Sequence, residues 1–313
     1  MKSLHLALAG IGGCALGWTI ASLYGALWAP PAAVAVPSTA GVPTFDVILA
    51  FGDSITQLGS DPQLGGYVAR LADLYQRQMD VVNRGLSGYN SSLARSVVDQ
   101  VFPVTQPMAA AGPALAKRGG SGSILPNRQS SLPGTAATVQ LCILFFGAND
   151  AVDPPAPMHN PIDAYADNLR HFIGLLREPT SRHYSPKTRI LIVTPPAVSD
   201  QMARETAKTM SVFRQVNSAS TKRYAERAIA VAREAGVPYV DLNSAIEDKV
   251  KQLAAGAGAY GGYERYLADG LHLTAGGYEL VYDLIVAQIK AHWPEMLPSP
   301  PSRATVLKPP AAK

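Results

Sequence analysis

The sequence alternates short apolar runs with longer segments of helical periodicity, and this alternation restricts the fold more than any other feature. Each apolar run is short enough to be a strand buried in a sheet. The predicted strands cover residues 46–51, 81–82, 139–146, 189–193 and 239–240. Because strands that alternate with helices form parallel sheets covered on both faces, we predict an α/β fold. The expected architecture is a three-layer α/β/α domain with a five-stranded parallel sheet.

The intervening segments carry apolar residues three or four positions apart, which predicts amphipathic helices. The main predicted helices cover residues 67–79, 91–102, 162–176, 211–235, 244–254 and 274–289. Asn90 is expected to cap the second of them, because an asparagine side chain accepts a hydrogen bond from a free N–H of the first turn. Gly236 is expected to end the fourth, because glycine readily adopts the conformation that closes a helix.

The N-terminal 28 residues are apolar, and no Lys, Arg, Asp or Glu stands between Lys2 and Asp46. A helix of about 25 residues, rising about 1.5 Å per residue, is long enough to cross a bilayer core of roughly 30 Å. Residues 1–28 therefore predict either an uncleaved membrane anchor, which their length favours, or a cleaved signal peptide ending near Ala33–Ala35. Both interpretations place the protein in the secretory pathway or on a membrane.

The rest of the chain divides by composition. Residues 29–44 are rich in Pro, Ala and Val and predict a linker. The folded domain is expected at residues 45–293, followed by a disordered Pro-rich tail at 294–313. Residues 103–138 combine Pro, Gly, Ser and Ala without an aromatic residue, and a stretch of this length without predicted elements is unusual inside a compact domain. We interpret it as a surface insertion.

Charge and cysteine content exclude several kinds of site. The formal net charge is +4 and the basic residues are scattered, so we expect no nucleic-acid partner. Cys14 and Cys142 lie within apolar runs and predict buried thiols, with neither a disulfide framework nor zinc-ligand spacing. We expect neither a cofactor nor a metal.

Four short polar segments stand where chemistry is expected in such a fold. Three of them, at residues 52–54, 85–88 and 147–150, follow predicted strands. The fourth, at residues 269–272, precedes the last predicted helix. Because reacting groups gather at the carboxyl ends of parallel strands, we expect the first three segments to meet at one edge of the sheet.

These segments contain the residue types that acyl transfer requires. Ser54 offers a hydroxyl nucleophile, which is weak unless a base removes its proton. His272 is the candidate base, and Asp269, three residues earlier in the same loop, can hold its imidazole. A developing oxyanion needs fixed donors. The backbone N–H of Gly88, the side-chain amide of Asn149 and the backbone N–H of Ser54 are the candidates.

Together the four segments resemble the GDSL/SGNH hydrolase family, whose four blocks centre on Ser, Gly, Asn and His. The resemblance covers about residues 46–292 and implies Ser54 as nucleophile, His272 as general base and Asp269 as its orienting partner. It also implies an oxyanion hole made by Ser54, Gly88 and Asn149. The segments most similar to the isoamyl acetate-hydrolysing esterase branch are residues 51–57, 82–90, 145–151, 168–170, 194–196 and 269–274.

That branch acts on short-chain acyl esters, so the resemblance implies a serine esterase that acts on a small-molecule ester through an acyl-enzyme intermediate. The sequence departs from the branch in its apolar N-terminus and at residues 103–138 and 154–157. The last two are expected to flank the site, which leaves the size of the substrate open. Two alternatives use the same residues, an acyl or acetyl transferase and a lipase-like esterase, acting on saccharides or lipids at a membrane. A third is a non-enzymatic membrane-anchored scaffold.

The remaining polar residues near these segments predict structural roles. Asp53 and Asp150 are expected to accept hydrogen bonds from nearby backbone N–H groups. Asn83 and Arg84 either line the site or occupy an exposed strand end. The other histidines show no partner pattern and are expected at the surface; they are His5, His159, His171, His183 and His292.

Overall fold

A computed structural model describes residues 46–105, 138–253 and 258–298, and in these ranges strands and helices follow each other in the predicted order. The strands are β1 (Asp46–Gly52), β2 (Met79–Gly85), β3 (Val139–Phe145), β4 (Arg189–Val193) and β5 (Tyr239–Val240). The helices are α1 (Ser54–Leu58), α2 (Tyr67–Leu74), α3 (Ser91–Val101), α4 (Ile162–Arg177), α5 (Asp200–Thr206), α6 (Ser218–Glu234), α7 (Leu242–Lys251) and α8 (Ala275–His292). Short 3₁₀ turns cover Ser211–Gln215, Tyr263–Arg265 and Pro294–Met296.

The five strands form one parallel sheet in the order β2-β1-β3-β4-β5, which confirms the predicted sheet. Gly52 of β1 pairs with Gly85 of β2 and with Phe145 of β3, so these three strands end level with one another. The chain passes from β1 to β2 on one side and returns to β3 on the other. Such a reversal opens a crevice at the carboxyl end of the sheet, beside β1.

Two apolar layers cover the sheet, because successive strand residues point to opposite faces. Ile48 and Ala50 face a buried cluster built with α2, α7 and α8. Leu49 and Phe51, from the same strand, face a second cluster built with α3, α4 and α6. This arrangement confirms the predicted three-layer α/β/α fold.

An aromatic cluster holds the carboxyl end of β1. The ring of Phe51 meets Phe146 edge-on at a centroid distance of 4.8 Å, and Phe172 and Phe102 at 5.4 Å and 5.8 Å. Each such pair contributes about 0.5–1.5 kcal/mol beyond the burial of the rings. The strand end from which Ser54 emerges is therefore firmly anchored.

Two helix ends follow the prediction closely. The Asn90 side chain accepts a hydrogen bond from Leu93 N–H at 2.8 Å, which confirms it as the N-cap of α3. Gly236 follows α6 with a φ of +62°, the left-handed conformation expected of a helix-ending glycine.

Three helices differ from the prediction. Helix α2 ends at Leu74 instead of residue 79, shortly before Arg77 adopts a φ of +64°. The single helix predicted at residues 211–235 is wrong: a 3₁₀ turn is separated from α6 by Asn217, whose side chain accepts from Ser220 N–H at 2.7 Å. Helix α5 was not among the predicted elements, because its seven residues are too few for a clear periodic pattern.

The predicted N-terminal segment (1–28) and linker (29–44) lie outside the described residues, as does most of the predicted insertion at 103–138. The predicted tail begins in the ordered turn Pro294–Met296, and its residues from 299 onward also lie outside. Across the described ranges, no helix combines the length and apolar character that a membrane span requires.

Candidate active site

Ser54 lies at the carboxyl end of β1, where strand and helix meet with one residue between them. That residue, Asp53, caps α1 by accepting a hydrogen bond from Ile55 N–H at 2.9 Å. A Cβ atom on Gly52 would lie 2.1 Å from the hydroxyl oxygen of Thr56, so this close turn requires glycine. The turn brings the Ser54 side chain to the edge of the sheet, where it is 9% exposed.

His272 and Asp269 come from the loop before α8 and complete a line of contacts with Ser54. Ser54 Oγ lies 2.9 Å from His272 Nε2, and His272 Nδ1 lies 2.6 Å from Asp269 Oδ2. The other carboxylate oxygen of Asp269 accepts hydrogen bonds from the backbone N–H groups of Leu271 (2.9 Å) and His272 (2.8 Å). The carboxylate is therefore oriented by its own loop, and it orients the imidazole in turn.

Helix α5 and the 3₁₀ turn after it support this loop. Ser199 N–H, at the start of α5, donates to the carbonyl of Gly270 at 3.0 Å. A Cβ atom on Gly270 would lie 2.6 Å from the backbone nitrogen of Ala203, so glycine permits this close approach. The ring of Phe213 lies 6.1 Å from the ring of His272. The sequence analysis did not single out Phe213, which lay within the helix predicted at residues 211–235.

The charges of the pair shift both pKa values. Burial lowers the pKa of His272, but the hydrogen bond and negative charge of Asp269, with the charge of Asp53, outweigh burial and leave it above its ordinary value of 6.5. Burial raises the pKa of Asp269, but hydrogen bonds from the His272 ring and from two backbone N–H groups leave it below 3.8. Asp269 is therefore ionised whenever His272 changes its protonation state.

The three candidate oxyanion donors emerge from neighbouring strands at the same edge. Ser54 is the first residue of α1, so its backbone N–H has no partner within the helix. Gly88, in the loop after β2, has a φ of +77°. Asn149 follows β3, is 8% exposed and donates one amide hydrogen to the carbonyl of Tyr89 at 2.9 Å. Its second amide hydrogen is not needed for that bond and can serve an incoming ligand.

Asp150 ties the loop after β3 to the start of α3. Its buried carboxylate accepts hydrogen bonds from the backbone N–H of Ser91 at 3.0 Å and from the amide of Asn160 at 2.9 Å. Asn168 in α4 donates to the Ser91 hydroxyl at 2.9 Å. Burial raises the pKa of Asp150. These contacts agree with the structural role predicted for it.

Asp53 is 1% exposed, and one of its carboxylate oxygens has no hydrogen-bond partner in the described part of the chain. Burial raises its pKa to about 7, against the opposing effect of the Ile55 N–H bond. The contact with Ile55 agrees with the predicted structural role. The unpartnered oxygen means that a negative charge on Asp53 is poorly stabilised.

The surface position predicted for His183 is wrong. The side chain is fully buried, with Nε2 2.7 Å from Asp99 Oδ1 and Nδ1 3.1 Å from the carbonyl of Pro103. Its partner Asp99 is 84 positions away in the chain, so local spacing could not reveal the pair. His292 is exposed and His159 partly so, whereas His5 lies outside the described residues.

Asn83 was expected either to line the site or to occupy an exposed strand end, and its side chain makes hydrogen bonds to neighbouring residues of the protein. Its side-chain amide donates to the carbonyl of Thr56 at 2.7 Å and to the Ser60 hydroxyl at 2.6 Å. Asn83 therefore fastens the strand end of β2 to α1.

Two clefts lie away from these residues. One of about 970 Å³ is lined by Arg177, Arg189 and Trp293, and one of about 650 Å³ lies beside α5 and α7. Neither is lined by Ser54, Asp269 or His272. Among the described residues, no group of three or more His, Cys, Asp or Glu side chains is placed to hold a metal ion.

Comparisons with known proteins identify the family. The model of the GDSL-like lipase/acylhydrolase family matches residues 50–280, a range that contains all the candidate site residues. A GDSL esterase/lipase of Arabidopsis thaliana is 30% identical over 263 residues, which cover 80% of this chain and 89% of the relative. The isoamyl acetate-hydrolyzing esterase 1 homolog of Bos taurus is 31% identical over 238 residues, which cover 75% and 78%.

A solved structure supports the fold. The lipase/acylhydrolase from Enterococcus faecalis superposes with a TM-score of 0.50 at 21% identity, covering 79% of this chain and 96% of that one. At this identity the likeness concerns the arrangement of strands and helices.

Proposed function

This chain belongs to the GDSL-like lipase/acylhydrolase family and is a serine ester hydrolase, and from that premise we propose that it cleaves short-chain, acetyl-type esters through an acyl-enzyme on Ser54. The expected resemblance to the isoamyl acetate-hydrolysing branch is confirmed by relatives of that name. The observation that carries the proposal is the line of contacts from Ser54 through His272 to Asp269, at 2.9 Å and 2.6 Å. A hydroxyl within hydrogen-bond reach of an oriented base is what nucleophilic catalysis requires.

In the first step, Ser54 Oγ attacks the ester carbonyl carbon while its proton passes to His272 Nε2. Asp269 stabilises the imidazolium and keeps Nε2 facing the hydroxyl through the bond to Nδ1. Collapse of the tetrahedral intermediate breaks the bond to the alcohol oxygen. His272 returns the proton to that oxygen, and the alcohol leaves an acyl group on Ser54. Proton transfer by a positioned base of this kind contributes about 10²–10⁴-fold in rate.

The tetrahedral intermediate places a negative charge on the former carbonyl oxygen. We assign the backbone N–H groups of Ser54 and Gly88 and the free amide hydrogen of Asn149 as its donors. Fixed donors act strongly where charge develops, and loss of one typically costs about 10²–10³-fold in kcat. The same donors serve the second step.

In the second step, water attacks the acyl-enzyme. His272 takes a proton from the water, a second tetrahedral intermediate forms, and its collapse breaks the bond between the acyl carbon and Ser54 Oγ. The serine recovers its proton from His272 and a carboxylic acid is released. The two steps consume one ester and one water and give one alcohol and one acid.

Exposed apolar side chains at the 3₁₀ turn after α5 support a small apolar ester. Met210 and Val212 are 52% and 40% exposed and stand just before Phe213, whose ring lies 6.1 Å from that of His272. The Bos taurus relative is named as a homolog of an isoamyl acetate-hydrolyzing esterase, and isoamyl acetate joins an acetyl group to an apolar alcohol. We propose an ester of the same kind here.

The proposal is tested on the full-length protein with p-nitrophenyl esters from acetate to palmitate. Wild type is compared with Ser54→Ala and with Ser244→Ala, an exposed serine of α7 that serves as the matched control. We expect a maximum at short acyl chains, complete loss in Ser54→Ala and wild-type rates in Ser244→Ala. A fluorophosphonate should label wild type and not Ser54→Ala.

The other outcomes lead to different conclusions. A maximum at long acyl chains would favour a lipase-like esterase. Turnover that requires an added alcohol or saccharide acceptor would favour an acyl transferase. Absence of Ser54-dependent turnover and of labelling would contradict the proposal and favour the scaffold.

A further inference from the structure

The loop that presents Gly88 is a tight turn whose geometry decides where its N–H points. Tyr89 N–H donates to the carbonyl of Leu86 at 3.1 Å, which closes a β-turn over residues 86–89. Gly88 occupies the third position with a φ of +77°, as in a type II turn. In a type I turn the ψ of the second residue differs by about 150°, which would reverse the peptide between Ser87 and Gly88. The Gly88 N–H belongs to that peptide, so it can point toward the oxyanion in only one of the two turn types.

Gly88 does not hold this conformation by itself. Glycine adopts positive and negative φ with similar ease, so the backbone at this position is free to change turn type. A Cβ atom on Gly88 would meet nothing within 4 Å, so the space on the side-chain side of this residue is open. Hydrogen bonds to the other residues of the turn can supply a restraint.

Two such bonds tie the turn to the segment that carries Ser54. Leu86 N–H donates to the carbonyl of Gly52 at 2.9 Å, two residues before Ser54. Ser87 N–H donates to the side-chain oxygen of Gln57 at 2.9 Å, three residues after it. The second bond fixes the Leu86–Ser87 peptide, which is the neighbour of the reversible peptide, and of these two bonds it is the one that a side chain makes.

Gln57 is itself held in a rigid frame. Its backbone N–H donates to the carbonyl of Asp53 at 2.9 Å within the first turn of α1. Its own carbonyl accepts from the amide of Asn83 at 3.2 Å. A Cβ atom on Gly85 would lie 2.0 Å from the Gln57 nitrogen, so α1 and the start of the turn are in close contact.

We propose that Gln57 is a positioning residue, whose side-chain oxygen fixes the Leu86–Ser87 peptide at the start of the turn and so places the turn that presents the Gly88 N–H to the oxyanion. Gln57 contacts no reacting atom and acts through the turn. This inference rests on the proposed function, because it assigns a support to one of the donors named there. It adds a residue that is exposed and lies outside the Ser54–His272–Asp269 line of contacts.

The test compares Gln57→Met with Gln57→Glu in the full-length protein. Methionine has nearly the length of glutamine but lacks the acceptor oxygen, whereas glutamate keeps one. For Gln57→Met we expect kcat on p-nitrophenyl acetate to fall about tenfold, less than the roughly 10²–10³-fold loss of a whole donor, because the turn still visits the active arrangement. The KM should change little, since both tetrahedral intermediates lose stabilisation while the bound ester does not. Gln57→Glu should recover kcat to within about threefold, because its carboxylate accepts from Ser87 N–H as well.

Two further readouts separate positioning from general damage. The thermal unfolding midpoint of Gln57→Met should match that of Gln252→Met, an exposed glutamine at the end of α7, whose kcat should equal wild type. The acidic limb of the pH–kcat/KM profile should stay in place, because His272 and Asp269 are not touched. A wild-type kcat in Gln57→Met, or equal losses in Gln57→Met and Gln57→Glu, would overturn the inference while leaving Ser54-dependent turnover intact. Absence of Ser54-dependent turnover in wild type would instead contradict the proposed function.

Discussion

The hydroxyl of Thr206 donates a hydrogen bond to the backbone carbonyl of Asp269 at a distance of 2.9 Å. Thr206 is the last residue of α5, and Ser199, just before that helix, donates its N–H to the carbonyl of Gly270. Both ends of α5 therefore hold the loop that carries Asp269 and His272. The position of the imidazole relative to Ser54 depends on this short helix.

Thr206→Val removes the hydroxyl and keeps the branched shape of the side chain. We expect a loss of about 1 kcal/mol in the free energy of unfolding, the usual contribution of one hydrogen bond, and a fall in kcat/KM of about two- to tenfold as the loop loosens. Urea denaturation and hydrolysis of p-nitrophenyl acetate measure the two effects. Thr209→Val is the control, because its hydroxyl donates to the carbonyl of Thr206 on the exposed surface. Equal kcat/KM values in the two variants would show that α5 does not position the loop.

Asp269→Asn should lower the maximum of kcat/KM and should also shift the pH at which kcat/KM falls. In wild type, kcat/KM should fall as pH drops through the pKa of His272, which lies above 6.5 because Asp269 stabilises the imidazolium. Without that carboxylate the burial of His272 dominates and lowers its pKa, so the acidic limb should move to lower pH. The maximum rate should fall about 10²–10⁴-fold, since the imidazole loses its orienting partner.

The measurement for Asp269→Asn is kcat/KM between pH 5 and 9, with Asp241→Asn as the control. Like Asp269, Asp241 accepts a hydrogen bond from a backbone N–H, that of Ser244 at 3.0 Å, and it is not part of the site. In Asp241→Asn, the acidic limb of the pH–kcat/KM profile should stay where it is in wild type. An acidic limb that stays in place in Asp269→Asn would show that another group controls the titration.

Asn149→Ala tests the assigned oxyanion donor. We expect kcat to fall about 10²–10³-fold with little change in KM, because the amide acts on the charge of the tetrahedral intermediate. Asn243→Ala is a matched control, since Asn243 is also buried and its amide also donates to a backbone carbonyl, that of Pro196, at 3.0 Å. Asn243→Ala should lower the free energy of unfolding and leave kcat at the wild-type value. Similar kcat in both variants would remove Asn149 from the oxyanion hole.

Asp53→Asn should stabilise the protein at neutral and alkaline pH. The pKa of Asp53 is raised by burial to about 7, so in the folded state it keeps a proton that the unfolded chain releases near pH 3.8. The stability gained from this proton is complete below pH 3.8 and is lost as pH rises toward 7, by an amount on the order of 4 kcal/mol. Asparagine keeps the acceptor for Ile55 N–H and does not titrate, so this decline should disappear. Chemical denaturation of wild type and variant between pH 4 and 8 measures the free energy of unfolding at each pH. If this free energy changed with pH in the same way in both proteins, the raised pKa of Asp53 would be contradicted.

Local patterns were sufficient wherever the physical cause is local. The apolar run at β3 reveals a buried strand, because a strand covered on both faces must be apolar throughout. Asn90 and Gly236 were recognisable as helix ends, because capping depends on the side chain and conformation of single residues. Ser54, Asp269 and His272 were predicted as site residues from their residue types, from their places at a strand end or in one loop, and from the resemblance to the GDSL/SGNH family.

Contacts between distant parts of the chain were not predictable in this way. The buried ring of His183 lies with its two nitrogens within hydrogen-bond distance of Asp99 and Pro103, about 80 positions away. The helix predicted across residue 217 is interrupted because Asn217 caps α6 and Asp200 bonds to Ser218. The link between Gln57 and Ser87 likewise spans 30 positions.

The sequence by itself thus determined the class of fold and the residues able to react, since both follow from side-chain chemistry and from spacing along a short stretch of chain. The tertiary structure alone decided that Ser54 Oγ lies 2.9 Å from an imidazole 218 positions away, and that α5 and Gln57 support the groups around it. The physical reason is that such distances depend on the register of the sheet and on the packing of helices against it. Those are properties of the whole fold and not of any local segment.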